Sequence, residues 1–197
     1  SLIEANPEGG TYSGKGVSSN VFNPQIAGVG VHTITYTYSD NNNCVSSCTF
    51  TIIVHNLPQI NCPNTKNICI NSNPFQLSGA SPSGGIYYIL DTPKTIFNPI
   101  EAGIGSHLIN YSYTNKNGCS NTCSFVINVH DLPELKCPAD IYVCFDSPIF
   151  QLEIANPSGG SYSGQGITNN FFNPSATGVG THPITYAYTD EYNCISL

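Results

Sequence analysis

The chain lacks arginine, methionine and tryptophan, and it has few charges of either sign. Only 9% of its 197 residues are charged, and twelve acidic residues outnumber five lysines, giving a net charge of −7 at pH 7. A nucleic-acid interface needs clustered Lys or Arg to neutralise phosphates, so this composition argues against nucleic-acid partners. No apolar stretch is long enough to predict membrane insertion of this segment.

The sequence repeats itself with a period of 75 residues. The stretch 9–38 recurs at 84–113 and at 159–188 without an insertion, and it keeps a Gly-Gly pair, an Asn-Pro pair and a His-x-Ile-x-Tyr-x-Tyr run. So strict a repeat indicates one small structural unit per period. The predicted domains are a first repeat lacking its opening strands (1–56), a complete second repeat (57–131) and a third repeat lacking its last strand (132–197). Because the two outer repeats are complementary parts of one period, we expect a longer secreted parent protein.

The residue pattern of each repeat is typical of β-strands joined by tight turns. Apolar and polar residues alternate along 107–113, which predicts a strand with Ile109 and Tyr111 facing the core. A turn at Asn115–Gly118 leads into a final strand, and the side chains predicted to point inward there are Phe125, Ile127 and Val129, with Phe50, Ile52 and Val54 as their counterparts in the first repeat. Short edge strands are predicted at Leu57–Cys62 and Lys66–Ile70, and no helix is expected. The pattern predicts an all-β fold of tandem small immunoglobulin-like antiparallel sandwiches arranged as a rod.

Cysteine is the strongest chemical signal in the chain. Nine cysteines lie at matching positions of the repeats: Cys44, Cys48, Cys62 and Cys69, then Cys119, Cys123, Cys137 and Cys144, then Cys194. Cysteines at this density in small domains are typical of disulfides formed in an oxidising compartment. We therefore expect an extracellular location and regard all nine as disulfide candidates.

Spacing restricts the pairing but leaves alternatives open. Cys119 and Cys123 are four residues apart on or beside one strand, or about 13 Å, whereas bonded cysteines have Cα atoms about 4.4–6.8 Å apart. A within-domain scheme pairs Cys62 and Cys69 with Cys119 and Cys123 in either combination and leaves Cys44 and Cys48 free. A rival scheme crosses the join and pairs Cys44 and Cys48 with Cys62 and Cys69.

Other residue types give no pattern typical of catalysis or metal binding. The seven-residue spacing of the second cysteine pair disfavours zinc, and the acidic residues lack the spacing of a calcium loop. His32, His107 and His182 recur in every repeat, which indicates a structural role, whereas His55 and His130 lie at the joins, where a pH-sensitive contact is more plausible. We expect no catalytic residues, no metal and no cofactor.

One loop differs between the repeats and is the place to look for binding. The glycines at 14 and 16, and at 164 and 166, give way to Ile89 and Asp91 in the second repeat, and exposed variable loops often carry function. Asp91 and Lys94 are its notable residues. A carbohydrate-binding surface would need exposed aromatic rings, for which Tyr87, Tyr88 and Tyr192 are the candidates.

The series GGTYSGKGV, VFNP, AGVGVHTITYTYSDNNNC and CTFTIIV resembles a known type of repeat. Similar tandem immunoglobulin-like repeats occur in very large Bacteroidetes cell-surface proteins, including gliding-motility adhesins exported by the type IX secretion system. The resemblance covers the whole chain and implies a stalk or filament at the cell surface. The NCP and CTF elements are also similar to hyalin-type repeats, and that resemblance favours a bond between Cys62 and Cys123.

These observations predict a structural and adhesive repeat segment of a large secreted bacterial adhesin, with a role in gliding motility, and not an enzyme. The expected partners are the neighbouring repeats of the same chain, together with surface glycans or other cell-surface proteins. Two alternatives are a carbohydrate-binding module and an accessory segment of a secreted enzyme.

Overall fold

The computed structural model describes all 197 residues, and nearly all regular structure in it is β-strand. The prediction of an all-β fold is confirmed. The chain divides into two compact units, residues 1–60 with 113–121 and residues 61–112 with 122–197. The domain boundaries at 56/57 and 131/132 stay predictions.

The strands of the first repeat form two small sheets. The elements in order are β1 (Thr11–Ser13), β2 (Val17–Ser18), β3 (Val21–Phe22), α1 (Pro24–Ala27), β4 (Gly30–Ser39) and β5 (Val45–Val54). The first sheet has the order β1-β4-β5, and the second is the β2–β3 pair. All of these pairings are antiparallel, and β5 is an edge strand.

The second repeat contains the largest sheet. Its elements are β6 (Lys66–Cys69), β7 (Phe75–Gln76), β8 (Ile86–Ile89), β9 (Thr92–Pro93), β10 (Ile96–Phe97), α2 (Pro99–Ala102), β11 (Gly105–Thr114) and β12 (Ser120–His130). Five strands follow the order β6-β12-β11-β8-β9, and β7 pairs with β10. The β6–β12 pairing is parallel, which brings the first and last strands of the repeat together.

The third repeat reproduces this arrangement in part. Its elements are β13 (Phe150–Gln151), β14 (Ser161–Ser163), β15 (Ile167–Thr168), β16 (Phe171–Phe172), α3 (Pro174–Thr177), β17 (Thr185–Thr189) and β18 (Ile195–Ser196). The sheets have the orders β13-β16-β15 and β14-β17-β18. No strand forms at 141–144, the counterpart of β6.

The core of the second repeat is built from the alternate residues of its long strands and from the β7–β10 side. Its buried members are Ile68, Leu77, Phe97, Ile109, Phe125, Ile127 and Val129. Burying one such side chain contributes about 1.5–3 kcal/mol relative to leaving it exposed. The inward face predicted for β11 and β12 is confirmed.

A tyrosine hydroxyl fastens the same loop in every repeat. In the second repeat, Tyr111 Oη donates to the Pro82 carbonyl oxygen at 2.6 Å and accepts from the Gly85 N–H at 2.7 Å. Tyr36 and Tyr186 make the corresponding bonds. A Cβ atom on Gly85 would overlap the Tyr111 ring and the Ser112 carbonyl oxygen, so only glycine permits this close approach.

The predicted hairpin turns are confirmed. Asn115 Oδ1 accepts the N–H groups of Asn117 and Cys119, each at 3.0 Å, and Gly118 has φ of 78°. The matching turns place Asn43 and Asn193 at φ of 62° and 64°. Asparagine and glycine tolerate this left-handed backbone better than other residues, which is why the turn is readable from sequence.

Three single-turn helices correct the expectation that there is no helix. In α1, Asn23 Oδ1 accepts from the N–H of Gln25 at 2.9 Å, and Pro24 opens the turn. Asparagine is a favourable N-cap, and proline suits the first helical position because its missing N–H would be unpaired there anyway. The Asn-Pro pair of each repeat was therefore a usable sequence signal for these turns.

The strand predicted at Leu57–Cys62 is wrong, because only Asn61 pairs there, in an isolated bridge with Ser81. Proline lacks the N–H needed for a continuous ladder, and Pro58 lies in this segment. The strand predicted at Lys66–Ile70 is confirmed as β6, which ends one residue earlier.

The predicted inward face of β5 is less buried than its counterpart on β12. Phe50 is 39% exposed, whereas its counterpart Phe125 is 8% exposed. Ile52 and Val54 are half-buried, although Ile127 and Val129 are fully buried. The sequences alternate in the same way, but β12 has β6 beside it and β5 has no strand on that side. Burial of this face therefore depends on the neighbouring strand.

Candidate functional site

The first disulfide closes the second repeat between its first and last strands. The parallel register places Lys66 opposite Ile127, and four residues earlier in the chain come Cys62, before β6, and Cys123, on β12. These two cysteines are bonded, with a Cα–Cα distance of 5.9 Å. This is the pair that the resemblance to hyalin-type repeats favours.

The second disulfide joins the second repeat to the third. Cys69 is bonded to Cys194, with a Cα–Cα distance of 5.5 Å and a sequence separation of 125. The within-domain scheme is therefore wrong for Cys69, which does not pair with Cys119. The rival scheme is also wrong, because Cys44 and Cys48 are free and Cys62 and Cys69 bond elsewhere.

The register of β6 explains why Cys69 crosses the join. Cys69 lies opposite His130, the last residue of β12. Cys119 precedes His130 by eleven residues of strand and turn, or about 36 Å if fully extended, which is too far for a disulfide. The next hairpin along the chain carries Cys194 instead, in the turn held by hydrogen bonds from the backbone to Asp190.

Noncovalent contacts surround this disulfide. The His130 ring stacks on the Tyr192 ring at a centroid distance of 3.6 Å, with 11° between the planes. His130 Nε2 also lies 3.1 Å from Asn67 Oδ1, and the Ser196 hydroxyl donates to the Pro133 carbonyl oxygen at 2.7 Å. We call Cys69, Cys194, His130, Tyr192 and the Ser196–Pro133 hydrogen bond the second join.

The first repeat boundary has part of the same arrangement. Asn121, which matches Ser196, donates through Nδ2 to the Pro58 carbonyl oxygen at 3.0 Å. Asn117 stands where Tyr192 stands in the second join, and His55 matches His130. His55 is exposed, and Cys119, the counterpart of Cys194, is free.

The five free cysteines are Cys44, Cys48, Cys119, Cys137 and Cys144. Each matches a bonded cysteine of another repeat: Cys48 matches Cys123, Cys137 matches Cys62, and Cys144 matches Cys69. Cys44 and Cys119 both match Cys194. Four of the five are exposed, and Cys119 is half-buried.

The recurring histidines hold the loop before the long strand. His32 Nε2 lies 2.7 Å from the Gly28 carbonyl oxygen, and His107 and His182 make the same contact at 2.9 and 3.0 Å. Phe22 and Phe97 pack beside the first two rings, at centroid distances of 6.0 and 5.7 Å. These contacts give the histidines a structural role in each repeat.

The variable loop borders an open groove. Lys94 and Tyr87 line a groove of about 510 Å³ together with Pro74 and Glu101. Asp91 is exposed and lies in a turn in which it and Leu90 have φ of 60° and 47°. The structure therefore places Lys94 in a concave surface but leaves Asp91 outside it.

The three tyrosines expected to be exposed occupy different surroundings. Tyr87 packs on Tyr111 at 4.6 Å between ring centroids, and its hydroxyl accepts from the Ala80 N–H. Tyr192 is covered on one face by His130, and Tyr88 is half-buried. A flat aromatic platform made of these rings is not present.

No group of three or more His, Cys, Asp or Glu side chains is arranged to hold a metal ion. Every buried side-chain nitrogen or oxygen has a hydrogen-bond partner. None of the helices, each of four residues, is long and apolar enough to cross a membrane.

Comparison with protein-family models and with curated protein sequences finds no match. Among solved structures, a similar chain is described as Protocadherin Gamma B2 extracellular cadherin domains 1-5. It shares 11% sequence identity with this chain and has a TM-score of 0.28. The alignment covers 98% of this chain and 50% of the protocadherin chain, so this chain spans about half of that length. Similarity at this level carries no argument about function.

Sequence reasoning missed the second join, although a signal for it was present. Cys69 comes seven positions after Cys62, and His130 comes seven positions after Cys123. Once Cys62 is placed beside Cys123 in parallel strands, Cys69 must therefore lie at the end of the repeat. The stacking of Tyr192 on His130 had no such signal, because the position that matches Tyr192 in the second repeat is Asn117.

Proposed function

We propose that this chain is a structural and adhesive repeat segment of a large secreted surface protein and has no catalytic activity of its own. The proposal rests mainly on the Cys69–Cys194 disulfide, which joins consecutive repeats covalently. Both cysteines of this bond are buried. The bond prevents the two repeats from separating, which is what a segment under tension requires.

The Cys69–Cys194 disulfide shortens the covalent path through the chain. Force applied at the two ends passes from Cys69 directly to Cys194, so residues 70–193 carry no load (193 − 69 = 124 residues). Fully extended, those residues would add about 410–450 Å at about 3.3–3.6 Å per residue. Most of the second and third repeats is thus shielded from unfolding under tension.

Single-molecule force spectroscopy on the whole chain tests this load path. We expect the fully unfolded length to increase by about 410–450 Å when reductant is added. The Cys69→Ser/Cys194→Ser variant keeps only the Cys62–Cys123 bypass of residues 63–122 (122 − 62 = 60 residues). It should gain the length of 64 residues without reductant (124 − 60 = 64). An oxidised wild-type chain that reaches its reduced length would refute the load-bearing role.

The adhesive part of the proposal rests on an exposed aliphatic residue that recurs after each single-turn helix. Val29, Ile104 and Val179 are 57%, 60% and 94% exposed, each directly after the glycine that ends the turn. These exposed apolar side chains recur at one position of every repeat, where each is free to contact a partner protein. Other cell-surface proteins that contact the repeats at this position are therefore the partners we propose, with surface glycans as the alternative class.

Adhesion can be measured with beads that carry the whole chain on a bacterial lawn. We expect the Val29→Ser/Ile104→Ser/Val179→Ser variant to bind less while its denaturant midpoint stays unchanged. The matched control replaces exposed polar residues in the same turns, Gln25→Ser and Ser175→Ala. If the Val29→Ser/Ile104→Ser/Val179→Ser variant adheres as well as the unaltered chain, these three residues do not mediate adhesion.

The sequence resemblance supports a finer version of the proposal. In that version, the parent protein is type IX cargo at the surface of Bacteroidetes cells and acts in gliding motility, where a stalk or filament is pulled along the surface. The disulfides favour an oxidising, extracellular compartment for this segment. Deleting the parent gene and measuring cell spreading would test the motility role directly.

A further inference from the structure

We propose that the groove beside β8 and β9 of the second repeat binds a sugar residue that carries a carboxylate, as a uronic acid in a surface glycan does. The Tyr87 N–H and the Lys94 ammonium group bind the carboxylate, and Glu101, Asn98 and Thr95 bind the sugar hydroxyls. The site rests on the glycan class of the proposed function and gives it a location and a recognised chemical group.

The groove has the size and the mixed lining of a small-molecule site. Its volume of about 510 Å³ lies in the range of about 300–1,000 Å³ that is typical of such sites. Ile86 and Ile96 line it and are exposed, so they can contact the C–H face of a sugar ring. The same groove carries the polar groups of Lys94, Thr95, Asn98 and Glu101.

In the first and third repeats, an asparagine side chain occupies the equivalent place. Asn20 Oδ1 accepts from the Tyr12 N–H at 3.0 Å, and Asn170 Oδ1 accepts from the Tyr162 N–H at 2.8 Å. Asn170 Nδ2 also donates to the Gly160 carbonyl oxygen at 3.2 Å. In both repeats the asparagine therefore bridges the loop to the strand and takes up the backbone donor of the tyrosine.

Thr95 stands at the asparagine position in the second repeat, and its side chain makes no hydrogen bond within the protein. Its backbone keeps the common anchor, because the Leu77 N–H donates to the Thr95 carbonyl oxygen at 2.8 Å. A β-branched residue disfavours the left-handed backbone that the asparagines adopt. The left-handed residues of this loop accordingly lie at Leu90 and Asp91, away from residue 95.

The Tyr87 N–H consequently has no partner within the protein. The Tyr87 carbonyl oxygen accepts from the Lys94 N–H at 2.9 Å, and residues paired in this way across antiparallel strands normally exchange two hydrogen bonds. The second bond, from the Tyr87 N–H to the Lys94 carbonyl oxygen, is not formed. A backbone donor left open at the wall of a groove favours an acceptor atom supplied by a ligand.

Two charged side chains of the groove are also particular to the second repeat. Lys94 and Glu101 line the groove, and their charged groups form no hydrogen bond or ion pair within the protein. Lys94 is the residue whose backbone pairs with Tyr87, so its ammonium group can reach a carboxylate held by the Tyr87 N–H. The matching residues of the other repeats are uncharged, namely Ser19, Asn169, Ile26 and Ala176.

The remaining polar groups favour a sugar over a peptide or a polyanion. The Glu101 carboxylate repels a second negative charge but accepts hydrogen bonds from hydroxyls. Asn98 Oδ1 accepts from the Ile100 N–H at 3.2 Å, which leaves its Nδ2 as a donor to the ligand. The Thr95 hydroxyl can donate or accept. An acidic sugar presents one carboxylate and several hydroxyls around a single ring, which matches this set.

The test titrates the ¹⁵N-labelled whole chain with methyl β-glucuronide and follows the backbone amide signals by NMR. We expect a saturable shift of the Tyr87 amide signal. Methyl β-glucoside, which lacks the carboxylate, should bind at least tenfold more weakly. Equal affinity for the two sugars would overturn the proposal. So would binding of acetate or N-acetyl-dialanine as tight as that of the glucuronide, because the groove would then be a general anion or peptide site.

Two substitutions copy residues of the other repeats. Thr95→Asn supplies the side chain that takes up the strand N–H in those repeats, and Lys94→Ser removes the ammonium group. We expect each to weaken glucuronide binding about tenfold or more while the denaturant midpoint stays unchanged. Asp91→Asn is the matched control, because Asp91 lies in the same loop but outside the groove. If both variants bind as tightly as Asp91→Asn, the site is refuted.

The titration uses a soluble sugar and involves neither cells nor force. A negative result would therefore leave the load path through Cys69 and Cys194 and the protein-binding surface of the proposed function intact. Those two are overturned only by force spectroscopy and by the bead assay.

Discussion

The imidazole ring of His130 stacks on the phenol ring of Tyr192, with 3.6 Å between ring centroids and 11° between ring planes. His130 ends β12 of the second repeat, and Tyr192 lies in the hairpin of the third. The contact therefore links the two repeats beside the Cys69–Cys194 disulfide.

Replacing Tyr192 with Asn, the residue at the matching position 117, should lower the free energy of unfolding by about 0.5–1.5 kcal/mol, because the ring contact is lost. Urea unfolding of the disulfide-intact protein measures this change in the free energy of unfolding. Tyr142→Asn is the control, since that ring is 90% exposed. A Tyr192→Asn effect that is equally large in a His130→Ala background would show that stacking is not its cause.

Removing the disulfide between the repeats should cost more. We expect Cys69→Ser/Cys194→Ser to lower the unfolding free energy by about 2–4 kcal/mol, because the bond closes a long loop and restricts the unfolded chain. Thermal unfolding without reductant measures the change. Cys44→Ser, at an exposed free cysteine, should leave the melting temperature within error. If the two variants have the same melting temperature, the Cys69–Cys194 disulfide adds no stability.

The tyrosine that fastens the loop of the second repeat offers a single-atom test. Tyr111→Phe removes the hydroxyl that bonds Pro82 and Gly85, and it leaves two backbone groups without their partner. The expected cost is about 1–3 kcal/mol. Tyr113→Phe is the control on the same strand, because its hydroxyl makes no hydrogen bond within the protein. Chemical denaturation should show a lower free energy of unfolding for Tyr111→Phe only.

One further pair of variants compares the same position in two repeats. Ile127 is fully buried, and its counterpart Ile52 is half-buried beside the open edge of β5. Ile127→Ala should cost about 2–5 kcal/mol through lost burial and the cavity left behind. Ile52→Ala should cost less than half as much. Hydrogen exchange of β12 and β5 amides reports the two effects separately, and equal losses would contradict the assigned difference in burial.

Much of the fold could be predicted because its signals are local. The alternation of 107–113 places Ile109 and Tyr111 in the core, and the Asn-rich turns need only residues that tolerate left-handed backbone. The single-turn helices were missed although Asn-Pro is also a local signal. The strand predicted at Leu57–Cys62 failed because an extended apolar pattern does not ensure a pairing partner.

The candidate site was harder to predict because it depends on contacts between distant residues. Nothing in the spacing of cysteines distinguishes Cys119 from Cys194 as the partner of Cys69, since both occupy the same position of the repeat. The parallel register of β6 against β12 makes the choice, because it places Cys69 beside His130 at the end of the repeat. The stacking partner of His130 could not be foreseen, because the residue that matches Tyr192 in the second repeat is Asn117.

The sequence by itself determined the 75-residue period, the face that each long strand turns to the core, the turns and the disulfide chemistry. Each of these follows from residue types within a few positions of one another. The tertiary structure alone decided which cysteines bond across a join and which strand face is covered, because both depend on the strand that lies alongside. Identical alternation therefore buries Phe125 beneath a neighbouring strand and leaves Phe50 exposed at an open edge.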